Sequence, residues 1–182
     1  MTNCLLSLLV LCISYAASGQ VLGSERIDIS VTLPEVSILD LAPNTSTIEL
    51  SLSAPSQAGD PIDMGNTLNS TKWINYSSSI RKGGPRKSIT AQVLSGELPR
   101  GLRLKLSTGK YTGSGRGKTG KPRKEIELSH LPRTIIKNIG AAYTGSGMHQ
   151  GHNITFSLVY DEYRDIDFGT STMVIAFTLT DN

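Results

Sequence analysis

The sequence predicts an all-β protein: an antiparallel, Ig-like or jelly-roll-like β-sandwich of about nine strands. Apolar and polar residues alternate with a period of two along most of the chain. No segment after the first twenty residues keeps an apolar repeat at helical spacing. Clusters of Gly, Pro, Asn and Ser separate the alternating runs, without the helical crossovers that a parallel sheet needs. Together these patterns favour an antiparallel sandwich.

The N-terminal segment has the pattern of a signal peptide. Residues 4–13, CLLSLLVLCI, form an apolar run that small and polar residues follow. The run is too short to span a bilayer, and this pattern is typical of a cleaved secretory signal. We therefore expect residues 1–19 to be removed and the protein to be secreted, periplasmic or at the cell surface. A lipid anchor at Cys12 is disfavoured, because Leu11 stands where a small residue is expected. No later segment is apolar enough to predict an integral membrane protein.

The positions of the cysteines and the remaining length limit the possible domain organisation. Cys4 and Cys12 are the only two, and both lie in the predicted signal peptide. The exported chain is therefore expected to have no disulfide and to depend on core burial for stability. About 160 residues remain, which suits one domain. We predict a single β-sandwich domain over residues 20–182, with residues 20–33 as an N-terminal arm strand.

The alternating runs of the first half predict its strands in order. Residues 27–33 alternate first and give the arm strand. Residues 36–41 and 48–52 are the next candidates. Residues 54–71 are rich in Pro, Gly, Asn and Ser, so they predict a long loop. The run at 72–78 then alternates again and contains the only tryptophan.

The second half continues the pattern. Further strands are predicted at residues 89–93, 102–106, 126–128, 154–158 and 173–179. Residues 134–139 are ambiguous between a helical turn and a short strand. The pentapeptide YTGSG occurs at 111–115 and again at 143–147. A recurrent turn sequence is favoured over a duplicated hairpin, because the flanking residues barely match, and each tyrosine is expected to pack inward.

The charge is strongly asymmetric along the chain. The net charge is +3, yet thirteen of the eighteen Lys and Arg residues lie within residues 81–124, where Glu97 is the only acid. A chain polarised in this way can meet a polyanion through its middle or another copy of itself head to tail. The basic residues are densest at 101–124, which begins as a two-faced strand and continues as a Gly/Lys/Arg-rich loop.

This basic stretch supplies the candidate site. The predicted polyanion-binding residues are two on the strand and five on the loop: Arg103, Lys105, Arg116, Lys118, Lys121, Arg123 and Lys124. The alternative interpretation is a charged sheet edge that prevents aggregation, beside a solvated loop. Tyr111 is the only aromatic residue nearby, so nucleic acid is not predicted as a partner.

Short cofactor and metal motifs occur in the wrong context. The glycines at 115–120 fit GxGxxG, but a dinucleotide site needs a parallel strand before them and a helix after them. A phosphate-binding P-loop needs glycine where Thr112 stands. His149 and His152 could start a zinc site, but no cysteine can complete it, so solvated loop histidines are favoured. We predict no cofactor and no metal.

The sequence also predicts a protein that is not an enzyme. It has no G-x-S-x-G nucleophile elbow and no other short catalytic signature. A carboxylate pair on neighbouring strands leaves no such signature, so a β-rich hydrolase remains an alternative.

Three blocks carry a resemblance: WINYS at 73–77, LPRGL at 98–102, and IGAAYTGSGMHQGHNITFSLVY at 139–160. With these blocks the chain resembles the pilin-like and spore-coat-U-like proteins, small secreted β-sandwiches of Gram-negative bacteria. The resemblance implies an Ig-like sandwich with a surface or fibre role, and it carries over no catalytic residue. Those domains usually have a disulfide, whereas this chain has no cysteine after residue 19.

Two functions follow as hypotheses. The first is an exported, non-enzymatic structural or adhesive surface protein, a subunit of a fimbria-like appendage that self-associates when the arm adds as a strand to a neighbour. The alternative is a secreted module that binds an anionic glycan or another polyanion through residues 103–124. A first and a last strand that pair with each other favour the binding module, and an unpaired edge favours assembly.

Overall fold

The fold is built from antiparallel strands. The computed structural model describes residues 25–44 and 47–181, so the predicted signal peptide and residues 20–24 of the arm lie outside it. Within those residues there are eleven strands, one 3₁₀ turn at Tyr163–Asp165 and no α-helix. The strands are β1 Ser37–Ala42, β2 Ser51–Ser53, β3 Asp63–Asn66, β4 Leu68–Ser78, β5 Lys87–Ser95, β6 Leu102–Thr112, β7 Arg116–Pro122, β8 Ile126–Glu127, β9 Arg133–Tyr143, β10 Gly151–Tyr160 and β11 Val174–Asp181.

Nine of these strands form one antiparallel sheet that folds into two layers. Its order is β11-β5-β9-β4-β10-β6-β8, with β1 on the other edge of β4 and β7 on the other edge of β9; β2 and β3 pair separately. Strands β4 and β9 share only the pairs Ser77↔Tyr143 and Ser78↔Ala142, which make the corner. One layer therefore contains β1, β4, β10, β6 and β8, and the other contains β11, β5, β9 and β7. The predicted antiparallel sandwich is confirmed.

The core lies between the layers and follows the predicted alternation. Strand β5 buries Ile89, Ala91 and Val93, and β6 buries Leu104 and Leu106. The remaining buried apolar members of the core are Ile74, Tyr76, Leu128, Ile135, Ile136, Ile139, Ile154 and Phe156. Each fully buried aliphatic side chain stabilises the fold by about 2 kcal/mol. The described residues contain no cysteine, so burial of this core stabilises the fold without a disulfide.

Within the sandwich, three stretches differ from the sequence prediction. The predicted loop at 54–71 contains β3 and the start of β4. The ambiguous residues 134–139 belong to β9, where they pack against β5 and β7. The predicted basic loop is mostly strand, because β6 continues to Thr112 and β7 occupies Arg116–Pro122. The stretch at 101–124 is therefore mainly a hairpin.

The glycine spacing in β7 has a packing explanation. A Cβ on Gly117 would lie 2.2 Å from the carbonyl oxygen of Ala141, and one on Gly120 would lie 2.7 Å from Cγ1 of Ile139. Both glycines have positive φ, at 99° and 82°. Only residues without a side chain let β7 lie this close to β9. The GxGxxG-like pattern thus belongs to strand packing.

The chain divides into two units between Leu33 and Pro34. The described part of the first unit, residues 25–33, contains no strand. Its alternating apolar side chains are highly exposed: Ile27 86%, Ile29 81%, Val31 85% and Leu33 82%. These residues have the alternation that predicted a strand, but they form no strand in the described structure. No helix in the described part of the chain has the length and hydropathy to span a membrane.

Candidate functional site

The first and last strands of the sandwich are both edge strands. Strand β1 pairs only with β4 and β11 only with β5, and no backbone hydrogen bond joins β1 to β11 within the described residues. A side-chain bridge brings them together at one end: Lys87 Nζ lies 2.6 Å from Glu35 Oε1, 2.8 Å from Ser37 Oγ and 3.6 Å from Asp181 Oδ1. Lys87 is only 3% exposed.

The bridge is electrostatically favourable. The hydrogen bond from Lys87 lowers the pKa of the Glu35 carboxyl from its ordinary value, and the charge of Lys87 acts in the same direction. The hydrogen bond to Glu35 likewise raises the pKa of Lys87, against the effect of burial. Lys87 is therefore held as a cation between the two edge strands.

Apolar side chains on these strands are only half covered. Leu39 and Leu41 of β1 pack against the core and remain partly exposed. Ile175, Phe177 and Leu179 of β11 do the same. Edge strands also leave one side of the backbone without partners. This opening combines free backbone groups with apolar surface that a further strand can cover.

The predicted polyanion-binding residues fall into two separate sets. Arg103 and Lys105 lie on β6, where acids compensate them. Arg103 Nη1 is 3.2 Å from Glu127 Oε2, and its Nη2 bonds Asp161. Lys105 Nζ is 2.9 Å from Glu125 Oε1. These two charges are engaged within the fold.

The other five predicted residues lie in the opposite layer or just after it. Arg116, Lys118 and Lys121 are on β7, and Arg123 and Lys124 follow that strand. All five are exposed, and none forms an ion pair with another residue of the described chain. The structure does not bring them together with Arg103 and Lys105.

Three further cations border this second set, and the sequence reasoning missed them. Lys137 of β9 stands directly opposite Lys121. Arg86 reaches toward Gly140, and Arg133 lines a hollow of about 210 Å³ with Arg123. Arg86 precedes the basic stretch at 101–124 and the other two follow it, so only the folded structure shows that they border this set.

A buried polar cluster surrounds His152 near the β6–β7 hairpin. Its Nδ1 is 2.9 Å from the carbonyl oxygen of Gly109, and its Nε2 is 3.2 Å from that of Thr119 and 3.2 Å from Tyr76 Oη. The Tyr76 hydroxyl donates to the Thr119 carbonyl. Burial lowers the pKa of His152 and raises that of Tyr76. The prediction of a solvated loop histidine is wrong for His152, because its side chain is 0% exposed.

The histidines do not form a metal site with each other. His149 is exposed and its ring lies 5.1 Å from that of Trp73, whereas His152 is in the core. The described residues contain no group of three or more His, Cys, Asp or Glu side chains placed to hold a metal ion.

The two YTGSG turns contact each other, which the sequence did not reveal. The Tyr111 hydroxyl donates to the carbonyl oxygen of Thr144 at 3.2 Å. Gln150 Oε1 accepts from the backbone N–H of Ser114 at 2.8 Å and lies between the two turns. Tyr111 packs inward as expected, but Tyr143 is 50% exposed. The two copies of the repeat therefore bind each other through hydrogen bonds at the ends of two hairpins.

A second hollow, of about 410 Å³, has a mixed lining. Arg100, Arg103, Asp161 and Asp165 contribute its charged groups. Asp161 pairs with Arg103, and Asp165 Oδ1 lies 3.7 Å from Arg164 Nε. Both carboxylates that line this hollow are therefore engaged by arginines.

None of the family models, curated proteins and solved structures compared with this chain matches it. The likeness to pilin-like and spore-coat-U-like proteins thus remains an expectation from three short blocks. The functional argument rests on the geometry of the chain itself.

Proposed function

We propose that this protein is an exported structural or adhesive surface subunit that self-associates by strand addition. The arm of one copy pairs with the free edge of β11 in another copy and covers the half-buried apolar side chains beside it. This fits the predicted secretory signal and a fimbria-like assembly. The single observation that carries the proposal is the match between an exposed alternating arm and an open sheet edge.

The arm has the properties of a donated strand. Ile27, Ile29, Val31 and Leu33 are 81–86% exposed, and they share one side if the segment becomes a strand. Four such side chains in water are unfavourable, and each one buried stabilises an assembly by about 2 kcal/mol. Polar residues fill the positions between them. A paired arm therefore presents one apolar and one polar face.

The edge of β11 has the properties of an acceptor. Residues 27–33 extend over about 23 Å, and the eight residues of β11 over about 26 Å, so their lengths match. Phe177 and Leu179 alternate with exposed threonines along β11, as the donated strand alternates. Main-chain hydrogen bonds supply affinity in this mode of recognition, and alternate side chains supply register.

The direct test is deletion of residues 20–33 from the exported protein. We expect the full-length chain to form oligomers at high concentration in sedimentation, and the deleted chain to remain a folded monomer that binds the free arm peptide. In the full-length oligomer, amide exchange over Val174–Asp181 should slow, whereas exchange of β8 should not.

A matched pair of variants tests whether assembly needs the apolar face of the arm or only the presence of the arm. Replacing Ile29 and Val31 by Asp should abolish oligomers, since both side chains belong to the face to be buried. Replacing Ser30 and Thr32 by Asp adds the same charge to the opposite face and should leave oligomers intact. A full-length protein that stays monomeric at every concentration contradicts the proposal.

A further inference from the structure

The outer face of the β7–β9 pair carries cations that lack acidic neighbours. Lys121 and Lys137 are register partners and both are exposed. Side chains of directly opposed residues in antiparallel strands share a face, and like charges in that position destabilise the pair. Arg86 and Lys118 also converge, since a Cβ on Gly140 would lie 2.5 Å from Arg86 Nη1 and 2.9 Å from Lys118 Cβ.

The backbone of β7 is shaped so that these charges face the same way. Lys118 and Lys121 are three residues apart, so strict alternation would place them on opposite faces. At Gly120, φ is +82°, and a Cβ there would point at Ile136 and Ile139 of the core. The local irregularity brings Lys121 back to the outer face, in line with Lys118.

The other layer of the same protein shows the opposite arrangement. On β6, Arg103 pairs with Glu127 and Asp161, and Lys105 pairs with Glu125. On the β7–β9 face, no cation has an ion-pair partner among residues 25–44 and 47–181. Glu125 lines the hollow beside Arg123, and its carboxylate is held by Lys105.

We propose that this face binds a linear anionic polysaccharide. The site contains Lys121, Lys137, Lys118, Arg116 and Arg86, and the hollow between Arg123 and Arg133 extends it. From Arg116 to Lys121 it spans roughly 16 Å along β7, enough for several charged groups of one polymer. Bound sulfate or carboxylate groups offset the repulsion between opposed lysines. The site excludes Arg103 and Lys105, and it does not depend on strand addition.

The lining favours a polysaccharide over single-stranded nucleic acid. Single-stranded nucleic acids stack their bases on several aromatic side chains. Among the described residues of β7 and β9, Tyr143, opposite Arg116, is the only aromatic one. A row of cations without stacking partners suits a polymer whose charges are on its outside.

The test compares single charge reversals in the full exported chain. We expect the wild-type protein to bind immobilised heparin, or polygalacturonate in solution, in a salt-dependent manner. Retention of heparin alone identifies a sulfate site, and retention of polygalacturonate as well identifies a broader carboxylate site. Lys121→Glu should weaken binding about tenfold, since it removes one attraction and adds one repulsion. The same change should raise the melting temperature, because the introduced carboxylate would then face Lys137 across the strand pair.

The matched control is Lys110→Glu, an equal charge change at an exposed lysine of β6 in the other layer. It should leave polysaccharide binding nearly unchanged. Equal weakening by both variants, or none by Lys121→Glu, overturns the proposal. Binding of duplex DNA more tightly than either polysaccharide also overturns it, since the ligand would then be a nucleic acid.

Discussion

His152 is a buried titratable residue with a hydrogen-bond conflict. A neutral imidazole carries one N–H, so it can donate to only one of the carbonyl oxygens of Gly109 and Thr119 that its two nitrogens face. The imidazolium could donate to both, but it would have to be buried. Among the described residues, the side chains in contact with its ring are those of Tyr76 and Tyr111, and neither supplies a compensating negative charge.

The burial of His152 outweighs the effect of these two carbonyl oxygens and predicts a specific loss of stability in acid. Burial lowers the folded-state pKa of His152 below its ordinary value of 6.5, so the unfolded chain binds the proton more readily. The contribution is fully present above the unfolded pKa and is lost as the pH falls below it. Between about pH 8 and pH 5, the melting temperature of wild type should fall more steeply than that of His152→Gln. His149→Gln, which changes an exposed ring, should keep the wild-type slope. Identical slopes for wild type and His152→Gln contradict the prediction.

At the scale of elements, β7 depends on glycine to lie against β9. Gly120 has positive φ, and its Cβ position lies 2.7 Å from Ile139 Cγ1 and 2.9 Å from Ile136 Cγ2. Gly147 also has positive φ, at 96°, but no heavy atom lies within 4 Å of its Cβ position. Substituting alanine at each position therefore distinguishes two destabilising effects. At Gly147 only the backbone conformation is strained, whereas at Gly120 the added Cβ also overpacks the core.

Gly120→Ala is expected to reduce the free energy of unfolding by about 2–4 kcal/mol, since it adds core overpacking to left-handed strain. Gly147→Ala should reduce it by only about 1 kcal/mol, from the strain alone. Urea denaturation with unchanged m-values measures both losses. Equal losses would show that β7 does not need the close approach.

At the scale of the whole molecule, Lys87 links the two ends of the sandwich. It bridges Glu35 and Ser37 at the start of β1 to Asp181 at the end of β11. Neither strand pairs with the other, so this bridge limits how far the opening between them can widen. The partner carboxylates are well exposed, and water can solvate them if the lysine is removed.

Lys87→Met should therefore lower the melting temperature and speed amide exchange in Ser37–Ala42 and Val174–Asp181, while core strand β10 keeps its protection. Lys105→Met is the control, because the Lys105 side chain is 31% exposed, against 3% for Lys87, and exposed ion pairs contribute about 0–1 kcal/mol. If exchange in the two edge strands is unchanged by Lys87→Met, the bridge does not hold the opening.

The sequence by itself determined that the protein is all-β and which faces of the core strands are buried. Side-chain direction in a strand is a local property with a period of two, so the inward positions of Ile89 or Leu106 are readable from their neighbours alone. Only the tertiary structure decided which strands became partners. It placed Lys121 opposite Lys137, engaged Arg103 with Asp161, and buried His152. These depend on register between distant segments, bulges at glycines and the fold of the sheet at its corner, which local alternation does not encode.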